Sequence, residues 1–342
     1  MRGSDRFLPY IALGTICVLW GTTYLAIRIA VQSIPPLGLV AFRFVASGLA
    51  VMGLAALARA PKPAKKDILR SAFYGILALG LGNGALSYAE LWIPSALAAL
   101  IVTVTPFWMV GLEVAIPGGQ KPAAATLLGL AIGLSGTVTL LGWGSSEPVV
   151  GTRLFQAFVL LQLGCASWAL ASVLQRRHAA HVHPLWGGAI QQLAAGLAFA
   201  IPAARLGQLN VTSWSQQSLA ATAYLIVFGS IAGYTCYVYA LQTLPVPLIS
   251  IHSYVNPLIA VWLGWWLGGE LVTVRQIVAA GIILTGVAVV KRSEWRAARA
   301  CPAAVSVEAS SSSSGSQPLA SVAWHAEELR SQRPSSHRHR SE

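Results

Sequence analysis

Leu13-Gly14-Thr15-Ile16-Cys17-Val18-Leu19-Trp20 is answered, 148 residues later, by Leu161-Gln162-Leu163-Gly164-Cys165-Ala166-Ser167-Trp168. The same offset carries Pro36, Gly48 and Leu49 onto Pro184, Gly196 and Leu197. An offset of 151 carries Gly82, Tyr88, Ala89, Pro94, Leu97, Pro106 and Gly118 onto Gly233, Tyr239, Ala240, Pro245, Leu248, Pro257 and Gly269. The apolar part of the chain is therefore written twice, a pattern common among secondary transporters. Each copy holds five predicted spans. An odd number obliges the second copy to enter the membrane upside down.

Working outward, the composition excludes a soluble globule. Apolar residues make up 55% of the chain and charged residues only 10%, where an ordinary domain carries about 25% charge. Apolar runs of roughly 18–22 residues, the length that crosses a bilayer as a helix, are read at 8–28, 36–58, 71–91, 95–116, 123–143, 153–174, 184–204, 218–240, 246–267 and 273–291. The expected fold is an all-α membrane protein of ten transmembrane helices. Its two inverted five-helix repeats are read at 8–143 and 153–291. The short alternating strands of a membrane β-barrel are missing from the pattern. The first span has no small-residue cleavage site and reads as an anchor, not a removed leader.

Lys and Arg set the expected orientation. With the amino terminus inside, the inner segments hold Arg2, Arg6, Arg59, Lys62, Lys65, Lys66, Arg70, Lys121, Arg176, Arg177, Lys291, Arg292, Arg296 and Arg299, and the outer ones only Arg28, Arg153, Arg205 and Arg275. Both termini are expected in the cytoplasm. The formal net charge of +12 reflects this topology and gives no reason to expect nucleic-acid binding. Cys17, Cys165 and Cys236 read as packing residues inside spans, with Cys301 in the cytoplasm. The Ser-rich stretch from 293 to 342 cannot bury enough apolar surface to fold and reads as a disordered cytoplasmic tail.

Polar residues inside the spans carry the functional signal, because charge in the bilayer is expensive. Arg43 lies seven residues into the second span and Glu90 near the outer end of the third, close enough in depth to pair. The counterpart of Arg43 is the neutral Gln191, beside Gln192, which fits one substrate site better than a repeated structural need. Asn83, Ser87 and Glu90 share a helical face at i, i+4 and i+7. Trp20 and Tyr24 mark a possible wall in the first span, with Trp168 matching Trp20. Pro106 and Pro257 fall at equivalent mid-span positions, each removing a backbone donor, and paired interruptions point to a transporter's binding site. His252 and Asn256 share a face just before Pro257. The expected substrate-binding set is Trp20, Tyr24, Arg43, Asn83, Glu90, Gln191, Tyr239, Tyr254 and Asn256. Glu90 and His252 are the candidate carriers of a coupling proton.

Other polar groups read as structural. Glu113 lies near the inner interface, and Glu270 in Gly268-Gly269-Glu270 braces or caps a turn. His178, His181 and His183 form a solvated loop without an acidic or thiol partner, so no metal or cofactor is expected. Ser135 in Gly133-Leu134-Ser135-Gly136 superficially resembles an embedded nucleophile. Its counterpart is Thr285 before Gly286, and helix packing explains it better than an enzyme does.

These residues resemble a known family. Leu19-Trp20-Gly21-Thr22-Thr23-Tyr24, Pro35-Pro36, Arg43-Phe44, Gly82-Asn83-Gly84, Ala89-Glu90, Pro94-Ser95 and Thr105-Pro106 look like an EamA-type member of the drug/metabolite transporter superfamily. Ser253-Tyr254-Val255-Asn256-Pro257 and Leu267-Gly268-Gly269-Glu270 match in the second copy. The resemblance covers about residues 8–291 and implies two inverted five-helix repeats around a central cavity, typically exporting small metabolites or drugs. Where the family often carries a Gly-Glu turn, the first copy reads Pro117-Gly118-Gly119-Gln120, which supports a bracing role for Glu270. The expectation is an alternating-access permease of the inner membrane, a monomer or homodimer, moving an amino acid, nucleoside or similar small molecule. A lipid flippase or a channel is the alternative.

Overall fold

The computed structural model describes residues 7–116, 123–141, 148–177, 182–244 and 252–300, and no strand occurs among them. In chain order, α1 (Leu8–Ala30) and α2 (Pro36–Leu57) are followed by α3 (Lys65–Gly75), which passes through a π-helical segment, Ile76–Gly82, into α4 (Asn83–Ala89). Then come α5 (Ser95–Val102), α6 (Thr105–Ala115), α7 (Ala124–Leu141), α8 (Pro148–Arg177) and α9 (Pro184–Arg205). The remainder is α10 (Gln216–Tyr224), a second π-helical segment, Leu225–Tyr234, α11 (Thr235–Thr243), α12 (His252–Trp266) and α13 (Val274–Ala300). Among the described residues six helical stretches, one of them α5 and α6 taken together across their turn, are long and apolar enough to cross a bilayer, and shorter apolar helices lie at Ala124–Gly136 and Val274–Val290.

Local chemistry explains the boundaries. Proline occupies the first turn of α2 and of α9, where its missing N–H is not needed. The residues before it, Pro35 and His183, are extended, as a following proline requires. At the end of α2, Arg59 takes φ +50° and Ala60 donates back to the Ala55 carbonyl at 3.0 Å, a left-handed helix stop. The turn after α12 uses Gly269 at φ +62°, a conformation a side chain would strain.

Several expected spans differ in detail. The fourth is not one helix: Thr103 and Val104 form a turn between α5 and α6, with Pro106 in the first turn of α6. The third begins earlier, at Lys65, and the sixth runs from Pro148 to Arg177. No interruption occurs at Pro257, which sits inside an unbroken His252–Trp266 helix. The membrane bundle forms one compact unit through Glu294. Helix α13 continues to Ala300, past the Ser293 position where the composition turns polar. The remaining tail, the Pro117–Gln120 turn and His178 and His181 lie outside the described residues.

Packing between the copies is reciprocal. A Cβ on Gly48 would strike Leu193, and one on Gly196 would strike Val45. These are equivalent pairs, because Val45 precedes Leu193 by the same 148 residues that separate Gly48 from Gly196. Likewise Gly82 backs onto Trp168 while Gly233 backs onto Trp20, and Gly136 backs onto Ile283 while Gly286 backs onto Gly133. Small residues let the backbones approach, the usual device of membrane helix pairs. Helix α1 packs against α10, α11 and α12 of the second copy, and α8 packs against α3, α4, α5 and α6 of the first. Each copy's opening helix is inserted into the other copy.

Candidate functional site

A cavity of about 630 Å³ lies between the two copies, within the size range of small-molecule sites. The two π-helical segments both contribute to its wall, Leu79 and Gly82 from one, Gly229, Ser230 and Tyr234 from the other. A π-helical turn is wider than an α-turn and marks functional sites often. Gly229 and Gly233 matter here because a Cβ on either would collide with Arg43 or Trp20.

Arg43 is the one charged side chain in the described wall. It is 6% exposed, donates from Nε to Ser230 Oγ at 2.8 Å and from Nη1 to Asn83 Oδ1 at 3.3 Å. Its guanidinium lies 4.8 Å from the Phe44 ring centroid. Two neutral acceptors hold the fork in place without neutralising it. Such a group suits a carboxylate or phosphate.

The same cavity holds an aromatic box. Trp20 stands 5.8 Å from Trp168 and 4.9 Å from Tyr237, ring centroid to centroid, with Tyr234 stacked behind at 6.5 Å. His252 meets Trp20 and Tyr237 edge-on at 5.4 and 6.0 Å. Trp20 Nε1 donates to the Gly229 carbonyl at 3.1 Å, and the Tyr234 hydroxyl donates to Gln191 Oε1. With its amide nitrogen turned toward α1, Asn256 donates to the Cys17 and His252 carbonyls, each at 3.0 Å. Rings and one guanidinium together would bind a compact amphipathic anion.

The structure brings Trp20, Tyr24, Arg43, Asn83, Gln191, His252, Asn256, Pro106 and Pro257 to this cavity. Tyr239 and Glu90 are not in its wall. Tyr234 and Tyr237, not the expected Tyr239, line the cavity, and the 151-residue offset carries Asn83 and Leu86 of the first copy's wall onto them. Paired glycines in Gly229-Ser230-Ile231-Ala232-Gly233 were the available signal for the π-helical turn. The side chain of Tyr254 lies outside the described residues.

Arg43 and Glu90 do not pair. Glu90 is fully buried outside the cavity wall, and among the described residues neither of its carboxyl oxygens meets a hydrogen-bond partner. Arg28 donates to its backbone carbonyl instead. Nearby, Glu270 clasps the start of α5: Oε1 accepts from Ser95 N at 2.8 Å and Ser95 Oγ at 2.7 Å, and Oε2 accepts from Ala96 N at 3.0 Å. These bonds tie the start of α5 to the turn after α12. The cavity stops at Tyr24, Leu86 and Ala99 there, and in the other direction reaches Ser71, Tyr74, Gln175 and Val182, beside the Lys- and Arg-rich loop. Glu113 forms a 3.0 Å ion pair with Arg177 at that basic end. No His, Cys, Asp and Glu group fit to hold a metal occurs among the described residues.

The model of the EamA-like transporter family matches residues 8–142 and again 156–292. The chain belongs to the EamA-like transporter family. Similar proteins include the inner membrane transporter YedA of Escherichia coli, 33% identical over 298 residues that cover 86% of this chain and 94% of the relative. The transporter YoaV of Bacillus subtilis is 24% identical, covering 81% and 95%. A probable terminal-alkyne amino-acid exporter of Streptantibioticus cattleyicolor is 23% identical, covering 82% and 92%. A crystal structure 23% identical to the chain superposes with a TM-score of 0.59, covering 85% of this chain and 98% of that one, a likeness of fold. This EamA-family protein is a multi-pass transporter of the inner membrane.

Proposed function

We propose that this EamA-family chain is an alternating-access secondary transporter that exports a small amphipathic molecule carrying a carboxylate, such as an amino acid. One observation carries the reading: Arg43, the one charged side chain in the described wall, shares a cavity between two homologous halves with an aromatic box. The guanidinium takes the carboxylate. The rings take the apolar body or, through their faces, an ammonium group. The amino-acid exporter among the relatives is in keeping with that chemistry. In this reading Trp20, Tyr24, Arg43, Asn83, Gln191 and Asn256 contact substrate, and Tyr234 and Tyr237 join them.

The reciprocal glycine contacts support two inverted five-helix repeats, at 8–143 and 153–291, that rock about the cavity. Ten spans place both termini on one side, and the basic loops put that side in the cytoplasm. The cavity then extends toward the cytoplasm while the Glu270 end is the sealed outer gate. Such a conformation is loaded from inside, as an exporter requires.

Counterflow in proteoliposomes tests the proposal, using labelled phenylalanine, benzoate and uridine beside Arg43→Ala. Carboxylate uptake that depends on internal unlabelled carboxylate and disappears in Arg43→Ala is the expected result. Counterflow of uridine alone, or of carboxylates unaffected by Arg43→Ala, would refute the assigned chemistry. Flux without counterflow would indicate a channel.

A further inference from the structure

We propose that Glu90 is a proton-binding site built into the outer gate, outside the substrate cavity, and that its neutral form holds the gate shut. The inference rests on the alternating-access reading above.

Burial supplies the first argument. Glu90 is fully enclosed, and both carboxyl oxygens lack a hydrogen-bond partner among the described residues. An anion held that way is costly, and a neutral acid far less so. The second argument is its surroundings. Glu270 and Arg28 are the charges that act on it most directly, and Tyr24 of α1 lies close by. Arg43 of α2 is turned away onto Asn83, Arg153 of α8 is stacked over Trp92, and Cys165 of α8 lies deeper, in the cavity wall. Arg28 spends a donor on the Glu90 backbone carbonyl and leaves the carboxyl alone. Glu270 is fully engaged with Ser95 and Ala96.

Losing the Glu90 proton would change this arrangement in two ways. The new anion would draw the Arg28 guanidinium off the carbonyl, and it would repel the Glu270 carboxylate that clasps α5. Both weaken the seal, so deprotonation favours outward opening. The third argument is the repeat: Tyr88-Ala89-Glu90 corresponds to Tyr239-Ala240-Leu241. The second copy's sequence carries leucine where the first carries this acid, so the acid is not a requirement repeated in both copies.

The test is thiol accessibility, which needs no substrate. In a full-length chain whose four cysteines are replaced by alanine, Ala96→Cys places a reporter inside the Glu270 clasp without removing its backbone N–H. A membrane-impermeant maleimide is applied to the outer face at about pH 6 and about pH 8, a range into which buried carboxyls can be moved. Rates are divided by those of Leu271→Cys, a neighbour 88% exposed, which cancels the thiol's own pH dependence. The expected result is labelling several-fold faster at the higher pH. Glu90→Gln should hold the slow rate at both, and Glu90→Leu, the second copy's residue, should do the same if the amide misfolds. Glu270→Gln should speed labelling at both. A pH response that survives in Glu90→Gln and Glu90→Leu, or is missing from the parent, overturns the proposal. Labelling absent in every variant, Glu270→Gln included, would sink alternating access itself, whereas failed counterflow alone leaves this result standing.

Discussion

Trp20 and Trp168 hold the same place in the two copies and meet edge to face across the cavity, their ring centroids 5.8 Å apart at 87°. Equivalent residues touch one another only where two related halves face each other. The contact therefore marks the line about which the halves would move, and a bound molecule would lie against both rings.

Trp20 carries a second duty through its 3.1 Å hydrogen bond to the Gly229 carbonyl. Trp20→Phe keeps a ring but removes that hydrogen bond, a loss of about 0.5–1.5 kcal/mol. Thermal unfolding in detergent should register it. Trp20→Ala should also weaken substrate binding, since aromatic pairs contribute about 0.5–1.5 kcal/mol beyond burial. Tryptophan-quenching titrations with a transported carboxylate would separate the two effects.

Arg43→Lys should not rescue function. Lysine keeps the charge but cannot reach Ser230 and Asn83 with a planar fork. We expect a roughly tenfold rise in half-saturating substrate, equivalent to about 1.4 kcal/mol, with Arg43→Ala worse and Ser230→Ala milder. Initial-rate transport at graded substrate concentration decides this. A lysine variant equal to wild type would mean that charge alone matters.

How much of this was legible in the chain can be seen residue by residue. The 148-residue echo of Trp20 in Trp168 exposed the duplication, and Arg43 stood out because charge inside an apolar run needs a reason. Tyr237 was legible and missed: it lies three residues after Tyr234 on the same helical face, and the 151-residue offset pairs it with Leu86, which also lines the cavity. Glu90 directly follows the last residue of α4, as counting along the span expected, but Arg43 is not its partner. Depth comes from counting along a helix, but whether Arg28 or Arg43 reaches it depends on how α1 and α2 rotate, which packing decides.

Gly48→Val and Gly196→Val should each destabilise the α2–α9 pair by about 1–3 kcal/mol, the usual cost of overpacking. The reciprocity makes a sharper prediction. The added side chains would meet backbone as well as side-chain atoms of the partner helix, so Leu193→Ala should recover part of the Gly48→Val loss and Val45→Ala less of the Gly196→Val loss, while the crossed combinations should recover none. Melting temperatures of the four double variants test it.

By contrast, the Arg177–Glu113 ion pair should hardly matter. Its side chains are 22% and 40% exposed, and pairs in such settings contribute about 0–1 kcal/mol. Arg177→Ala should leave the melting temperature nearly unchanged, and added salt should erase any difference. A large loss would point to a role for the basic end beyond this pair.

The insertion of α1 into the far copy sets the order in which the protein can be finished. Trp20 and the Gly229 carbonyl it binds are 209 residues apart, so α1 leaves the ribosome long before α10, α11 and α12 exist. It must wait in the lipid with its polar face provisionally covered, and native packing is completed only as the last helices arrive. Chains truncated after α9 should therefore remain open to quality-control proteases, because the first helix made is among the last to find its neighbours.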